Sequence, residues 1–192
     1  MWRIGIPDKE FIRGKVPMTK REVRIITIAN ACIAPEAIVY DIGAGTGSIT
    51  IEAAIQASVG HVYAIERNHD GVYLIKKNAE KFDCKNIDVV EAKAPEGMDE
   101  LPRCDAAIIG GSGNHLESIL DSLRVKLKES GRIVVNCVTV QTISRVLKWL
   151  HANEGFEYEA VQLQANRLQR VGPYDMSKAE NPIYIVTIWK NA

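Results

Sequence analysis

The chain has 192 residues, 46% apolar and 25% charged, which suits one domain with a real core and excludes a disordered or membrane-embedded chain. Lys plus Arg and Asp plus Glu both number 24, so there is no overall basic field of the kind that marks a general nucleic-acid binder. The charge is uneven all the same: residues 1–24 hold seven bases against three acids, a candidate anion-binding surface. No apolar run approaches the roughly 18 residues of a membrane span, and a charged N-terminus interrupted by Pro7 and Pro17 does not read as a signal peptide. Cys32, Cys84, Cys104 and Cys137 are scattered, with no C-x-x-C and no histidine at a metal-ligand spacing, so reduced thiols, no metal and a cytoplasmic location are expected.

Residues 1–18, with Gly5, Pro7, Gly14 and Pro17, predict an irregular but ordered arm. Thr19 to Glu22 reads as a capping box opening a helix from about Lys20 to Cys32, closed by Pro35, so that residues 1–34 form an arm and capping helix. A β-branched run, Ile38 to Ile42, is followed by Gly43-Ala44-Gly45-Thr46-Gly47 and a helical pattern from about Ser48 to Ala57. Further pairs follow: strand His61–Ile65 ending in Glu66, then a helix capped by Asp70; strand Ile87–Val90; strand Ala106–Ile109 ending in Gly110-Gly111-Ser112-Gly113, then a helix through Leu116, Ile119, Leu120, Leu123 and Leu127. Gly131 should separate that helix from a strand over Arg132–Val138, and Thr139 should start the last helix. Such alternation requires parallel strands with right-handed crossovers. The rhythm then breaks: Phe156–Leu163 and Ile183–Trp189 are strand-like and predict an antiparallel pair across a loop over residues 164–181.

The turn after the first strand reads D-x-G-x-G-x-G from Asp41 to Gly47, whereas a dinucleotide fingerprint requires G-x-G-x-x-G. This form resembles motif I of the class I S-adenosylmethionine (SAM) methyltransferases. The resemblance implies a Rossmann-like α/β fold with a seven-stranded sheet ending in the antiparallel strand pair. It also implies SAM as cofactor: Gly43, Ala44, Gly45, Thr46 and Gly47 against its methionine part, and Asp41 holding the turn or reaching the amino group. Glu66, nineteen residues after Gly47, would accept the ribose hydroxyls, and Lys93 and Ala94 would lie at the adenine. An acid at that strand end also suits NAD, so Glu66 by itself does not choose between the two cofactors.

Further stretches narrow the reading: Gly5-Ile6-Pro7-Asp8, Val16-Pro17-Met18-Thr19-Lys20, Ala94-Pro95-Glu96, Ile109-Gly110-Gly111-Ser112-Gly113 and Asn181-Pro182-Ile183-Tyr184. With the glycine turn they are similar, in order and over almost the whole chain, to the cobalt-precorrin C-15 methyltransferase and C-12 decarboxylase family of anaerobic cobalamin synthesis. The resemblance implies a free-standing single domain over 1–192, a homo-oligomer with a homotetramer expected, and a tetrapyrrole substrate bearing many carboxylates. Thr19 then joins the cofactor residues. Arg13, Lys20, Arg24 and Arg170 become candidates for substrate carboxylates, and Gly110, Gly111, Ser112 and Gly113 candidates to line the macrocycle. Asn114 and Gln141 depart from the family pattern, where a glycine and an acid are frequent. No catalytic acid or base is identified, although His115 follows the Gly-Gly-Ser-Gly turn. The alternatives are a SAM methyltransferase acting on tRNA or another RNA through the basic arm, and a non-enzymatic nucleotide-binding protein.

Overall fold

A computed structural model describes residues 4–191. The helices are α1 (Arg21–Asn30), α2 (Ser48–Gln56), α3 (His69–Lys81), α4 (Leu116–Lys126) and α5 (Val140–Ala152). The strands are β1 (Ile38–Ile42), β2 (His61–Glu66), β3 (Ile87–Glu91), β4 (Cys104–Ile109), β5 (Leu127–Cys137), β6 (Phe156–Leu163), β7 (Asn166–Val171), β8 (Tyr174–Ala179) and β9 (Ile183–Lys190). Seven of them form one sheet in the order β3-β2-β1-β4-β5-β9-β6, parallel from β3 to β5 and antiparallel at β5–β9 and β9–β6. This is the seven-stranded α/β sheet with the terminal strand pair that the alternation and the motif implied.

Strand alternation sorts the core into two layers. Tyr40, Ile42, Ala107, Ile109, Ile133 and Val135 point toward α4 and α5, where Ile119, Leu120, Leu123, Val146 and Trp149 cover them. Val39, Ala106, Ile108 and Val134 point the other way, onto Val23 and Ile28 of α1 and Ala53 and Ala54 of α2. A smaller cluster of Ile6, Phe11 and Ile51, with Phe82 and Ala79 against it, ties the N-terminal arm to α2 and α3.

Four local expectations are corrected. The capping box at Thr19 does not form: Lys20 is the N-cap residue of α1 with no side-chain cap, and the Glu22 carboxylate instead pairs with Arg167. Helix α3 is capped by Asn68, whose side chain accepts the Asp70 amide at 2.8 Å, because the helix starts one residue before Asp70. Gly131 lies inside β5, which runs from Leu127. The β4–β5 pairing shifts register between Cys104 and Ala106, and a Cβ on Gly131 would meet the Asp105 carbonyl oxygen at 2.9 Å. The segment 164–181 is not a loop: β7 and β8 form a separate antiparallel hairpin.

Candidate active site

The strand order reverses between β1 and β4, which places their following turns side by side at the carboxyl edge of the sheet, where open α/β sheets bind ligands. The two turns touch. Gly43 has φ +70, and a Cβ there would stand 2.3 Å from the Gly111 carbonyl oxygen and 2.7 Å from its nitrogen. Gly43 and Ala44 donate their amides to the Ile65 carbonyl, and Gly110 and Gly111 donate theirs to the Ile42 carbonyl. The amides of Gly110 and Gly111 are thus engaged in holding the sheet edge, and the contribution of these glycines to the site is the absence of side chains.

Around this contact lies a cleft of about 490 Å³. Its floor is Gly43, Ala44 and Gly45 together with Gly110 to Gly113; one wall is Ile65, Glu66, Arg67 and Asn68, another Ala92, Lys93 and Ala94. The arm closes it with Val16, Pro17, Met18 and Thr19, and Val138 stands at the far side. Pro17 packs directly on the turn, its carbonyl oxygen 3.0 Å from where a Gly45 Cβ would be. Glu66 is held rigidly: one carboxylate oxygen accepts the Gly45 amide and the other the Asn68 amide, both at 2.8 Å. Each oxygen keeps acceptor capacity for a further donor from a ligand. Gly71 in α3 makes room for this arrangement, since a Cβ there would meet the Glu66 Cγ at 2.8 Å.

Asp41 does not line the cleft. It follows Tyr40 on β1, and alternation turns it toward α2, where it is fully buried and accepts the Thr50 hydroxyl at 2.5 Å. Of its two expected roles only the anchoring one is open, through the first turn of α2. Thr46 and Gly47 also lie buried beneath the turn. Desolvation by burial raises the Asp41 pKa from its ordinary 3.8 to about 7, with the Glu66 charge adding to the rise and the Thr50 hydrogen bonds opposing it. An acid whose pKa is higher folded than unfolded leaves the folded chain holding the extra proton between those values. Its contribution to stability therefore falls as pH rises from about 4 to about 7 and is flat above. Asp41→Asn should remove that slope and exceed the parent in stability at pH 8 by about 1–3 kcal/mol; chemical denaturation across this range measures it, and an unchanged slope would place the carboxylate in contact with water.

Two buried side chains help to fasten the arm. Asn78 of α3, fully buried, accepts the Ile12 amide at 2.8 Å and donates to the Ile12 carbonyl at 3.1 Å and the Thr46 carbonyl at 2.9 Å, so one side chain joins arm and glycine turn. Replacing it with alanine orphans these groups. Asn78→Ala should lose about 2 kcal/mol in urea denaturation and expose the arm to limited proteolysis before the rest of the chain. The second fastening is Arg24. It is completely buried, its Nε 2.6 Å from Glu52, with further bonds to the Thr19 and Ile6 carbonyls and to Asp8. Arg24 is therefore a core residue, unavailable to a substrate carboxylate, because helical spacing turns it from the cleft onto α2.

Of the other candidate cations, Arg13 is exposed on the arm and Arg170 bonds the Gly172 carbonyl within its own hairpin; neither lines a described cavity. Lys20 does, in a second chamber of about 240 Å³ between α1, the end of β5 and the start of β9. Cleft and chamber share Met18, Thr19, Gly110 and Val138 as a common wall. Sequence reasoning missed Arg67, which lines the cleft with its guanidinium 3.2 Å from a Cβ position on Gly113. The available signal was its place directly after Glu66. It also missed Asn78 and Gly71, whose partners are distant in the chain. Among the described residues no histidine lines cleft or chamber; His115 is the N-cap residue of α4 and gives no side-chain cap. A wider, shallower concavity of about 780 Å³ runs along α5 past Ile143, Leu147 and Tyr184 and shares no residue with the cleft.

A family model described as the precorrin methyltransferase domain matches residues 10–191. A relative from Sulfurisphaera tokodaii, named probable cobalt-precorrin-6B C(15)-methyltransferase (decarboxylating), is 40% identical over 185 residues, 95% of each chain. The Salmonella typhimurium cobalt-precorrin-6B C(15)-methyltransferase (decarboxylating) is 35% identical over 184 residues, again 95% of each. The crystal structure described as a precorrin 8W decarboxylase from Methanobacterium thermoautotrophicum superposes with a TM-score of 0.90 at 32% identity, covering 97% of this chain and all of that one.

Proposed function

Because the chain belongs to the precorrin methyltransferase family, we propose that it methylates C-15 of cobalt-precorrin-6B from SAM and removes the C-12 acetate carboxyl as carbon dioxide, giving cobalt-precorrin-7. The observation that carries the reading is the contact of the two glycine turns, Gly43 against Gly111, beneath a cleft walled by Glu66 and the Val16–Thr19 segment. The SAM expectation fits these residues. Gly43 and Gly45 leave space where side chains would intrude, with Ala44 beside them; Glu66 has acceptor capacity left and would hold the ribose diol, Lys93 and Ala94 would flank the adenine, and Thr19 the reacting end. Bound SAM would supply an activated methyl group on a sulfonium sulfur. The chain's part is positioning: the paired turns and Pro17 would hold one reactant, and Gly110, Val138 and Met18, which line both cavities, would support the macrocycle beside it. Arg67, Lys93 and Lys20 supply the cations for substrate carboxylates at the cleft and its neighbouring chamber.

Decarboxylation needs a sink for the electron pair of the broken C–C bond, and the conjugated macrocycle is one. The methylene left behind takes a proton from water, so the bookkeeping closes without a protein-bound metal. Anaerobic incubation with SAM and cobalt-precorrin-6B should yield a product heavier by one methylene and lighter by one carbon dioxide; an unchanged substrate mass would overturn the assignment. The RNA alternative is not favoured, since relatives matched over 95% of the chain are named for precorrin chemistry. A homotetramer in the cytoplasm completes the reading. The hairpin supports it: a two-stranded ribbon is marginal alone, and Leu168, Tyr174 and Met176 expose apolar surface on it. Light scattering of the purified chain measures the assembly.

A further inference from the structure

The second chamber holds a group that the methyl-transfer reading does not use. Asn136, near the end of β5, is 6% exposed and lines the chamber, and its amide nitrogen has no hydrogen-bond partner. Its orientation is fixed from behind. The Thr27 hydroxyl lies 2.8 Å from the Val23 carbonyl and 2.9 Å from the Asn136 side-chain oxygen, and it has one proton to give. The Asn136 oxygen is the atom turned toward Thr27, and the NH2 is left without an acceptor. A buried, unanswered donor of this kind is rare in native structures and expects a partner.

We propose that Asn136 receives the C-12 acetate carboxylate, which makes the chamber the decarboxylation half of the site; this rests on the function proposed above. C-15 is bonded to the same pyrrole-type ring that carries the C-12 acetate, so the two reacting positions are one ring apart. Cleft and chamber share a wall that includes Met18 and Val138, so they are neighbours, as two positions one ring apart require. At about 240 Å³ the chamber takes one ring edge with a side chain, not a macrocycle. Its lining is mixed: Val23, Leu163 and Ile183 are apolar, while Glu22 and Glu180 bring carboxylates that disfavour a further negative charge. A carboxylate moved there from water loses hydration, and that loss favours departure as carbon dioxide, because the charge passes as an electron pair into the macrocycle while the methylene takes a proton from water. A neutral amide holds the group without the counter-charge that would stabilise it against leaving. Lys20, a cation also lining the chamber, then serves another carboxylate of the substrate.

The test uses the whole protein with SAM and cobalt-precorrin-6B under anaerobic conditions, products resolved by mass, beside Asn136→Leu, Asn136→Asp and Thr27→Val. A parent protein that leaves the substrate mass unchanged refutes the function itself. With the parent active, the Asn136 variants should bind SAM as the parent does by calorimetry and accumulate a methylated product that keeps its carboxyl, the decarboxylated share falling about a hundredfold or more. Thr27→Val, which frees the amide to turn without touching the chamber's volume, should lower that share about tenfold and so reports even if the Asn136 variants fold poorly. Lys20→Ala should raise KM and leave the product split alone. A parental split in Thr27→Val and both Asn136 variants, or a parallel loss of methylation and decarboxylation, would overturn the assignment of Asn136.

Discussion

Gly43→Ala should abolish measurable SAM binding, weakening it at least about a hundredfold, and lower stability by about 3–5 kcal/mol. Two effects add. The residue sits at φ +70, a conformation that disfavours an L side chain by about 1–2 kcal/mol. Its Cβ would also lie 2.3 Å from a main-chain oxygen of Gly111, and backbone cannot yield as a flexible side chain does. Separation of the two turns widens the floor on which the cofactor's methionine end is expected to lie. The contrast is Gly111→Ala: a Cβ there has as its nearest neighbour the Gly43 Cα at 3.9 Å, ordinary contact, so stability should change by less than about 1 kcal/mol. Calorimetric titration with SAM and thermal melts of the two variants measure both halves. Equal damage from both would show that the contact between the turns is not what makes Gly43 indispensable.

Arg24→Leu should lose about 3–5 kcal/mol, since removing one partner leaves the Glu52 carboxylate buried without its counter-charge. Glu52 also accepts the Gly5 and Ile6 amides at 2.9 and 3.0 Å, so the arm loosens with it. Arg24→Lys should recover little of this. The guanidinium serves Glu52, Asp8 and the carbonyls of Thr19 and Ile6 at once through a planar fork, and an ammonium cannot reach all four. The double variant Arg24→Leu with Glu52→Leu should be less damaged than the sum of the single changes, because no orphan charge remains, although the Gly5 and Ile6 amides then lack an acceptor. Urea denaturation of the set yields the coupling energy. Strict additivity would show that the pair does not interact in the folded chain.

The local features that the structure matches are those whose cause lies within a few residues. Gly43 to Gly47 must form a tight turn after a buried strand, and Glu66 must end the next strand at the same sheet edge, because alternation and chain direction leave no other place. The misreadings have the opposite character. At Thr19 the capping box lost to the pairing of Glu22 with Arg167, 145 residues away. The hairpin over Asn166–Ala179 was missed because a ribbon with most of its side chains in water carries no apolar alternation; the turn between Val171 and Tyr174, with Gly172 at φ +59, was its only mark. Arg24 was grouped with its basic neighbours, although one residue along a helix rotates a side chain by about 100°.

The sequence by itself determined the strand and helix order, the glycine turn, the acid at the end of β2 and the family, because these depend on local periodicity, turn chemistry and motif spelling. Only the tertiary structure decided that Gly43 needs its missing side chain on account of Gly111, that Asp41 is sealed under α2, that Arg24 is a core residue, and that Asn136 stands unanswered in a chamber beside the cleft. Each of these depends on a group brought close from far along the chain, and no spacing in the sequence encodes that distance.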